Sequence, residues 1–185
     1  MSKDLFALVI GGTGMLEKVC HFLAIEGYDV YVVHRDKTRF QAMQSRSTHP
    51  DKLFSIRVDY HDEKTLQKKI QETIQIKGCC PDIIVSWIHN SAPNALPTIL
   101  KEVSVRKKPW KLIHVQGSSS FFVKENTTVP EVCEYRRVYL GFVLENENAR
   151  WLTHEEIANG IIKVIHGDYK ETVIGTLKPW NKRPS

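Results

Sequence analysis

Short unbroken apolar runs alternate along this chain with stretches in which hydrophobic residues return every three or four positions. Leu5–Ile10 (LFALVI) is hydrophobic throughout and of strand length, so it predicts a strand. Met15–Gly27 has helical spacing and closes on glycine. Tyr28–His34 predicts a second strand, and the spacing of Asp36–Arg46 predicts a helix with Asp36 as its N-cap. Leu53–Asp59 reads as a third strand before a helix over Asp62–Gly78, which places Leu66, Ile70, Thr73 and Ile74 on one face. Asp82–Ile88 is a fourth strand, Ala95–Arg106 its helix and Trp110–Gln116 a fifth strand. The run Ile84–Trp87 is apolar on both faces, as a central parallel strand requires.

After the fifth strand the rhythm changes. The segment from Gly117 to Glu134 mixes polar, β-branched and proline residues with no sustained period and predicts a loop or short extended excursion. In Glu134–Glu145, Val138, Leu140, Phe142 and Leu144 alternate with Tyr139, Gly141 and Val143, which predicts a sixth strand. Thr153 and Glu156 form a capping-box pattern at the start of a helix reaching Gly167, and Glu171–Leu177 predicts a last strand. Strands alternating with helices define an α/β chain: a three-layer, doubly wound, mostly parallel sheet of about seven strands with helices on both faces. No linker, repeat or low-complexity segment divides it, so residues 1–185 are expected to form a single domain.

Composition narrows the function. With 42% hydrophobic and 25% charged residues the chain resembles a soluble globular protein. No apolar run approaches a membrane span, and the short apolar run at the N-terminus has no small-residue cleavage site, so no signal peptide and a cytoplasmic location are expected. Cys20, Cys79, Cys80 and Cys133 form no CxxC pair and no zinc spacing; reduced cysteines and no metal site are expected. The net charge of +5 is scattered among acids instead of forming an aromatic-interleaved stripe, which argues against nucleic acid and suits a polyanionic cofactor.

The first strand runs into Gly11, Gly12, Thr13 and Gly14 and then a helix. Glycines there allow a tight turn that brings a diphosphate onto free backbone amides at the positive end of a helix. On this turn, and on the order of elements, the chain resembles the atypical branch of the short-chain dehydrogenase/reductase superfamily, whose Rossmann fold binds NAD(P). Gly11-x-x-Gly14 is similar to the start of its GxxGxxG fingerprint, while Glu17 replaces the third glycine. If that carboxylate faced the phosphates it would weaken binding; in the first turn of a helix it is expected to face solvent.

The resemblance implies a cofactor site formed by Gly11, Thr13, Gly14, Met15 and Leu16, by His34 and Arg35 after the second strand, by Asp59 and Tyr60 after the third, and by Asn90 after the fourth. Where an NAD-binding fold carries an acid, this chain has Arg35 with Lys37 and Arg39 close by, which resembles the basic replacement that accepts the 2'-phosphate of NADP. Asp36 could be the ribose acid one position late, but its place before a helix points to a cap.

The superfamily's proton relay is a serine after the fifth strand and a tyrosine followed four residues later by lysine. Ser118, Ser119 and Ser120 match the first, but Tyr135 is followed by Tyr139 and lies in a predicted strand, so the chain is expected to lack the Tyr-x-x-x-Lys motif and the helix that carries it. Ser118, Tyr135 and His89 are the remaining candidates for catalysis. Two readings stay open: an NADPH-dependent reductase of a small-molecule substrate, and a non-catalytic NADP(H) sensor. Superfamily members often pair, so a homodimer is a further expectation.

Overall fold

The computed structural model describes residues 5–105 and 107–185. Four strands and their helices build the first half: β1 (Phe6–Ile10), α1 (Glu17–Ile25), β2 (Asp29–His34), α2 (Lys37–Ser45), β3 (Leu53–Arg57), α3 (Glu63–Lys77), β4 (Ile83–Trp87) and α4 (Ala95–Val103). The second half holds β5 (Trp110–Gly117), α5 (Ser120–Val123), β6 (Cys133–Leu140), β7 (Phe142–Glu145), β8 (Asn148–Trp151), α6 (His154–His166) and β9 (Glu171–Ile174). Seven strands form one sheet in the order β3-β2-β1-β4-β5-β6-β9, parallel at every pairing. The order reverses between β1 and β4, the point at which open α/β sheets hold ligands outside the carboxyl ends of their strands.

Alternate residues of each strand point to opposite faces. Ala7, Val9, Val30, Val32, Val85, Ile113, Val115 and Val138 pack with α1, α2 and α6 into one core. Phe6, Leu8, Ile10, Ile84, Trp110 and Leu112 pack with α3 and α4 into a second. Helix starts follow their caps: Asp36 accepts the Arg39 amide and Asp62 the Thr65 amide, while Gly78, at φ 66°, ends α3 in the left-handed conformation. The predicted helix Ala95–Arg106 ends at Val103, and Arg106 and Met1–Asp4 lie outside the described residues.

Two stretches differ from the sequence expectation. Residues 134–145 are not one strand: β6 stops at Leu140, and Phe142 leaves the sheet to begin a hairpin of β7 and β8. The cause is close packing at Gly141, where a Cβ would stand 2.2 Å from the Thr176 carbonyl oxygen, followed by paired backbone bonds between Phe142 and Thr176. Within the expected loop, Ser120–Val123 forms one helical turn that Lys124 closes at φ 45°. No described helix is long and apolar enough to cross a membrane.

Candidate functional site

The glycine turn sits where β1 meets α1. Gly11 has φ 82°, and a Cβ there would lie 2.6 Å from the Trp87 carbonyl oxygen at the end of β4. Gly12 is equally confined, since its Cβ would stand 2.7 Å from Val32 Cγ1. Only glycine lets the chain turn this close to its neighbours. Gly14 faces open space instead. Residues 12–16 form a turn in which none of the amides makes a short, well-aligned backbone hydrogen bond, which leaves donors ahead of α1. Leu16 is buried, and Thr13 and Met15 are half-buried around the turn. Glu17 does not face open solvent. Its carboxylate accepts from Arg46 Nε and Nη2 at 2.8 and 2.9 Å, and that guanidinium holds its pKa below the usual carboxylate range. Its charge, expected to face solvent, is instead matched by the Arg46 guanidinium.

At the end of β2 the two predicted residues part company. Arg35 is exposed, with Nη1 3.6 Å from Asp59 Oδ2. His34 is buried, stacked on Phe40 at 4.7 Å, with Nε2 2.7 Å from Ser55 Oγ; burial lowers its pKa. Beside the glycine turn, Thr13, Arg35, Lys37, Thr38, Arg39 and Arg57 surround an open recess of about 690 Å³ that Asp36 also borders. Asp36 caps α2 through the Arg39 amide at 3.1 Å. Arg57 was missed in the sequence; it enters through the parallel register that sets it opposite His34.

Beyond β3, Asp59 Oδ1 accepts the His61 amide at 3.0 Å and lies 2.7 Å from His61 Nδ1, contacts that lower the Asp59 pKa. His61 Nε2 is 2.8 Å from Ser91 Oγ, which is 3.0 Å from His89 Nδ1, and the His89 amide donates to the Tyr60 hydroxyl at 3.4 Å. The predicted Asp59, Tyr60 and His89 thus meet, joined by His61 and Ser91. The Tyr-x-x-x-Lys spacing does occur in the chain, at Tyr60 and Lys64, but on the turn from β3 into α3, where Tyr60 packs on the second core.

A cavity of about 860 Å³ lies over the second face of β5, between α4 and the segment 119–130. Its walls include Leu96, Leu100 and Val129, and His114 and Gln116 enter from β5. His89 and Asn90 border it where β4 ends, as do Ser119 and Ser120, whereas Ser118 is not on its lining. Tyr135 stands apart from these strand ends. It pairs in register with Leu112, near the start of β6, and its hydroxyl lies 2.9 Å from His114 Nδ1 and accepts from Arg137 Nε at 3.0 Å. Burial, and then the nearby Arg137 charge, lower the His114 pKa to about 4, so the ring is neutral at pH 7. No group of side chains suited to a metal ion is found among the described residues.

No protein-family profile matches the sequence, and no curated protein does. Solved structures do. An actinorhodin polyketide ketoreductase variant with NADPH superposes with a TM-score of 0.70 over 96% of this chain and 98% of that one, at 10% identity. A short-chain dehydrogenase/reductase from Serratia marcescens gives 0.69 over 92% and 96%, at 16% identity. A β-ketoacyl-[ACP] reductase from Bacteroides thetaiotaomicron gives 0.68 over 95% and 99%, also at 16% identity. The chain therefore has the Rossmann-like fold of the short-chain dehydrogenase/reductase structures.

Proposed function

We propose that this protein binds NADP(H) at the glycine turn and acts as an NADPH-dependent reductase of a small substrate without the tyrosine-lysine relay. The observation that carries this reading is the recess in which Arg35, Lys37, Arg39 and Arg57 border Thr13 of the glycine turn. Diphosphate suits the amides from Gly12 to Leu16, and the four cations suit a further phosphate that NADP carries and NAD lacks. Asp59, Tyr60 and Asn90 lie along the same strand ends and are assigned to the rest of the nucleotide. When bound, the reduced nicotinamide supplies hydride. We assign the protein to the cytoplasm, as one domain able to form a homodimer.

A second reading, an NADP(H) sensor without turnover, is favoured by one feature. The position four residues after Tyr135 holds Tyr139, which is fully buried and against Phe121 at 5.3 Å. Fluorescence titration with NADPH and NADH tests the shared part of both readings. NADPH is expected to bind at least tenfold more tightly, and Arg57→Ala to remove about tenfold of that preference, the size of one or two charge-assisted hydrogen bonds. Equal affinities in the unaltered protein would refute the NADP assignment.

A further inference from the structure

The turns that follow β3 and β4 meet beyond the carboxyl ends of the sheet, although two strands, β2 and β1, separate β3 from β4. Packing of α3 beside α4 brings them together. Asn94 Nδ2, at the start of α4, donates to Glu63 Oε1, at the start of α3, at 2.8 Å. The meeting places Asp59, His61 and Ser91 in a line of short contacts that neither turn forms alone.

The protons along that line have a direction. Asp59 Oδ1 accepts the His61 amide at 3.0 Å and lies 2.7 Å from His61 Nδ1. Those contacts, and Arg35 at 3.6 Å from Oδ2, favour the carboxylate form, which can only accept. His61 Nδ1 therefore carries a proton, and the neutral ring presents a bare Nε2 to Ser91 Oγ at 2.8 Å. On its other side Ser91 Oγ is 3.0 Å from His89 Nδ1, which accepts the Ser91 amide at 3.2 Å and is bare as well. If His61 is charged, its Nε2 donates to Ser91 and the serine proton turns to His89. In each arrangement an imidazole nitrogen faces that proton, and the nearer ring is oriented by a carboxylate. Nucleophile, base and orienting acid stand in the order that acyl transfer requires, and Ser91 is exposed.

We propose that Ser91 is an acyl-accepting nucleophile with His61 as its base and Asp59 positioning His61, and that it cleaves small esters whose leaving group is an aryloxide or a thiolate. The inference goes beyond the reductase reading and does not rest on it; Asp59 and Asn90 serve the ester when no nucleotide is bound. The substrate class follows from the donors at the turn. A hydrolytic serine gains about 10²–10³ in rate from each amide that holds the developing oxyanion. Here the Ser91 amide is taken by His89 Nδ1, and the Ala92 amide by the His89 carbonyl at 2.9 Å. The side-chain amide of Asn90, which makes no hydrogen bond among the described residues, is a donor left at this turn. With the oxyanion so lightly held, the leaving group must depart readily, which excludes amides and alkyl esters. An apolar acyl chain has a place beside it, since Ala92, only 7% exposed, borders the 860 Å³ cavity with Leu96 and Leu100.

The balance closes with water as the second reactant. Ser91 Oγ bonds to the carbonyl carbon while its proton passes to His61 Nε2. The bond to the leaving group breaks, and the departing oxygen or sulfur takes that proton. Water then adds to the acyl carbon and gives a proton to His61; the bond to Ser91 Oγ breaks, and the serine oxygen takes the proton back. Ester plus water becomes acid plus phenol or thiol, with nothing oxidised or reduced.

The test assays the full chain, without nucleotide, on 4-nitrophenyl butyrate and ethyl butyrate, and labels it with diisopropyl fluorophosphate. The aryl ester is expected to be cleaved at least a hundredfold faster than the alkyl ester, and mass spectrometry to find one phosphoryl adduct, on Ser91. Ser91→Ala should lower kcat/KM at least a hundredfold and remove the adduct, while its circular dichroism stays unchanged, because it deletes one exposed oxygen. The variant keeps every histidine, so it separates the serine from slow cleavage by surface imidazoles. His61→Gln should fall as far. Asp59→Asn, whose amide can hold the ring in the wrong tautomer, should lower kcat about a hundredfold with KM within about twofold. Unaltered cleavage by Ser91→Ala, an adduct absent or on another residue, or equal rates on the two esters would overturn the proposal. NADPH affinity without ester cleavage would sink it and leave the reductase reading standing; ester cleavage that needs Ser91, in a protein without NADPH affinity, would do the reverse.

Discussion

His114 shows how one residue can be plain in composition and invisible in pattern. In the sequence it is a polar break within an apolar strand, and nothing local marks it. Its partner is Tyr135, 21 positions away, which the β5–β6 register brings within 2.9 Å. Arg57 escaped for the same reason, since only the pairing of β2 with β3 sets it beside Arg35. Residues read from a local turn fared differently: Gly11 and Gly12 are confined as a tight turn demands, because a turn is a property of adjacent positions. The burial of His114 also predicts a pH dependence. Its folded pKa, about 4, lies below the ordinary imidazole value of 6.5, so the unfolded chain binds the proton first. Stability present above pH 6.5 is lost as pH falls toward 4, by up to about 3 kcal/mol. His34 is shifted in the same direction. Asp36, Asp59 and Asp62 have lowered pKa values and add their loss only at still lower pH. Urea titrations between pH 7 and 4.5 should show His114→Asn with a flatter profile than the unaltered protein. An identical slope would mean that the imidazole is solvated.

At the scale of elements, the strand and helix order was legible because each element buries a face and repeats its period over many residues. Boundaries set by contacts from elsewhere were not. Gly141 ends β6 because the Thr176 carbonyl, 35 positions away, leaves no room for a side chain, and alternation in the sequence continues past that point. The start of α6 is the opposite case, written entirely in neighbours. Thr153 Oγ1 accepts the Glu156 amide at 3.1 Å, and Glu156 accepts the Thr153 amide at 2.8 Å. Arg150 on β8 then holds the same carboxylate at 2.9 and 3.0 Å, so the hairpin is tied to the helix. Thr153→Ala should cost about 1 kcal/mol and lower the melting temperature by about 2–4 °C, while Thr153→Ser, which keeps the acceptor, should change it little. Calorimetry that finds both variants unchanged would show the cap to be idle.

Across the whole molecule, both faces of the sheet carry a core, and the second leaves a cavity over the later part of β5. The first face is closed by α6, which also packs along α1, and Arg136 fastens it. Arg136 lies on β6, is only 7% exposed, and its guanidinium donates to the carbonyls of Val164 and Gly167 at the end of α6 and pairs with Glu134 at 3.1 Å. These are terminal carbonyls that the helix cannot satisfy itself, and a cation is favoured at that end. Arg136→Met keeps much of the buried length but leaves the carbonyls without donors, at a cost of about 3 kcal/mol, or a melting temperature lower by about 6–12 °C. The glycine turn and the basic recess lie on the first three strands and their loops, so the variant should bind NADPH with unchanged affinity at temperatures where it is folded. If Arg136→Met melts with the unaltered protein, α6 is held by its apolar face alone. If it folds but loses NADPH, the proposed nucleotide site depends on how α6 braces α1, the helix that follows the glycine turn.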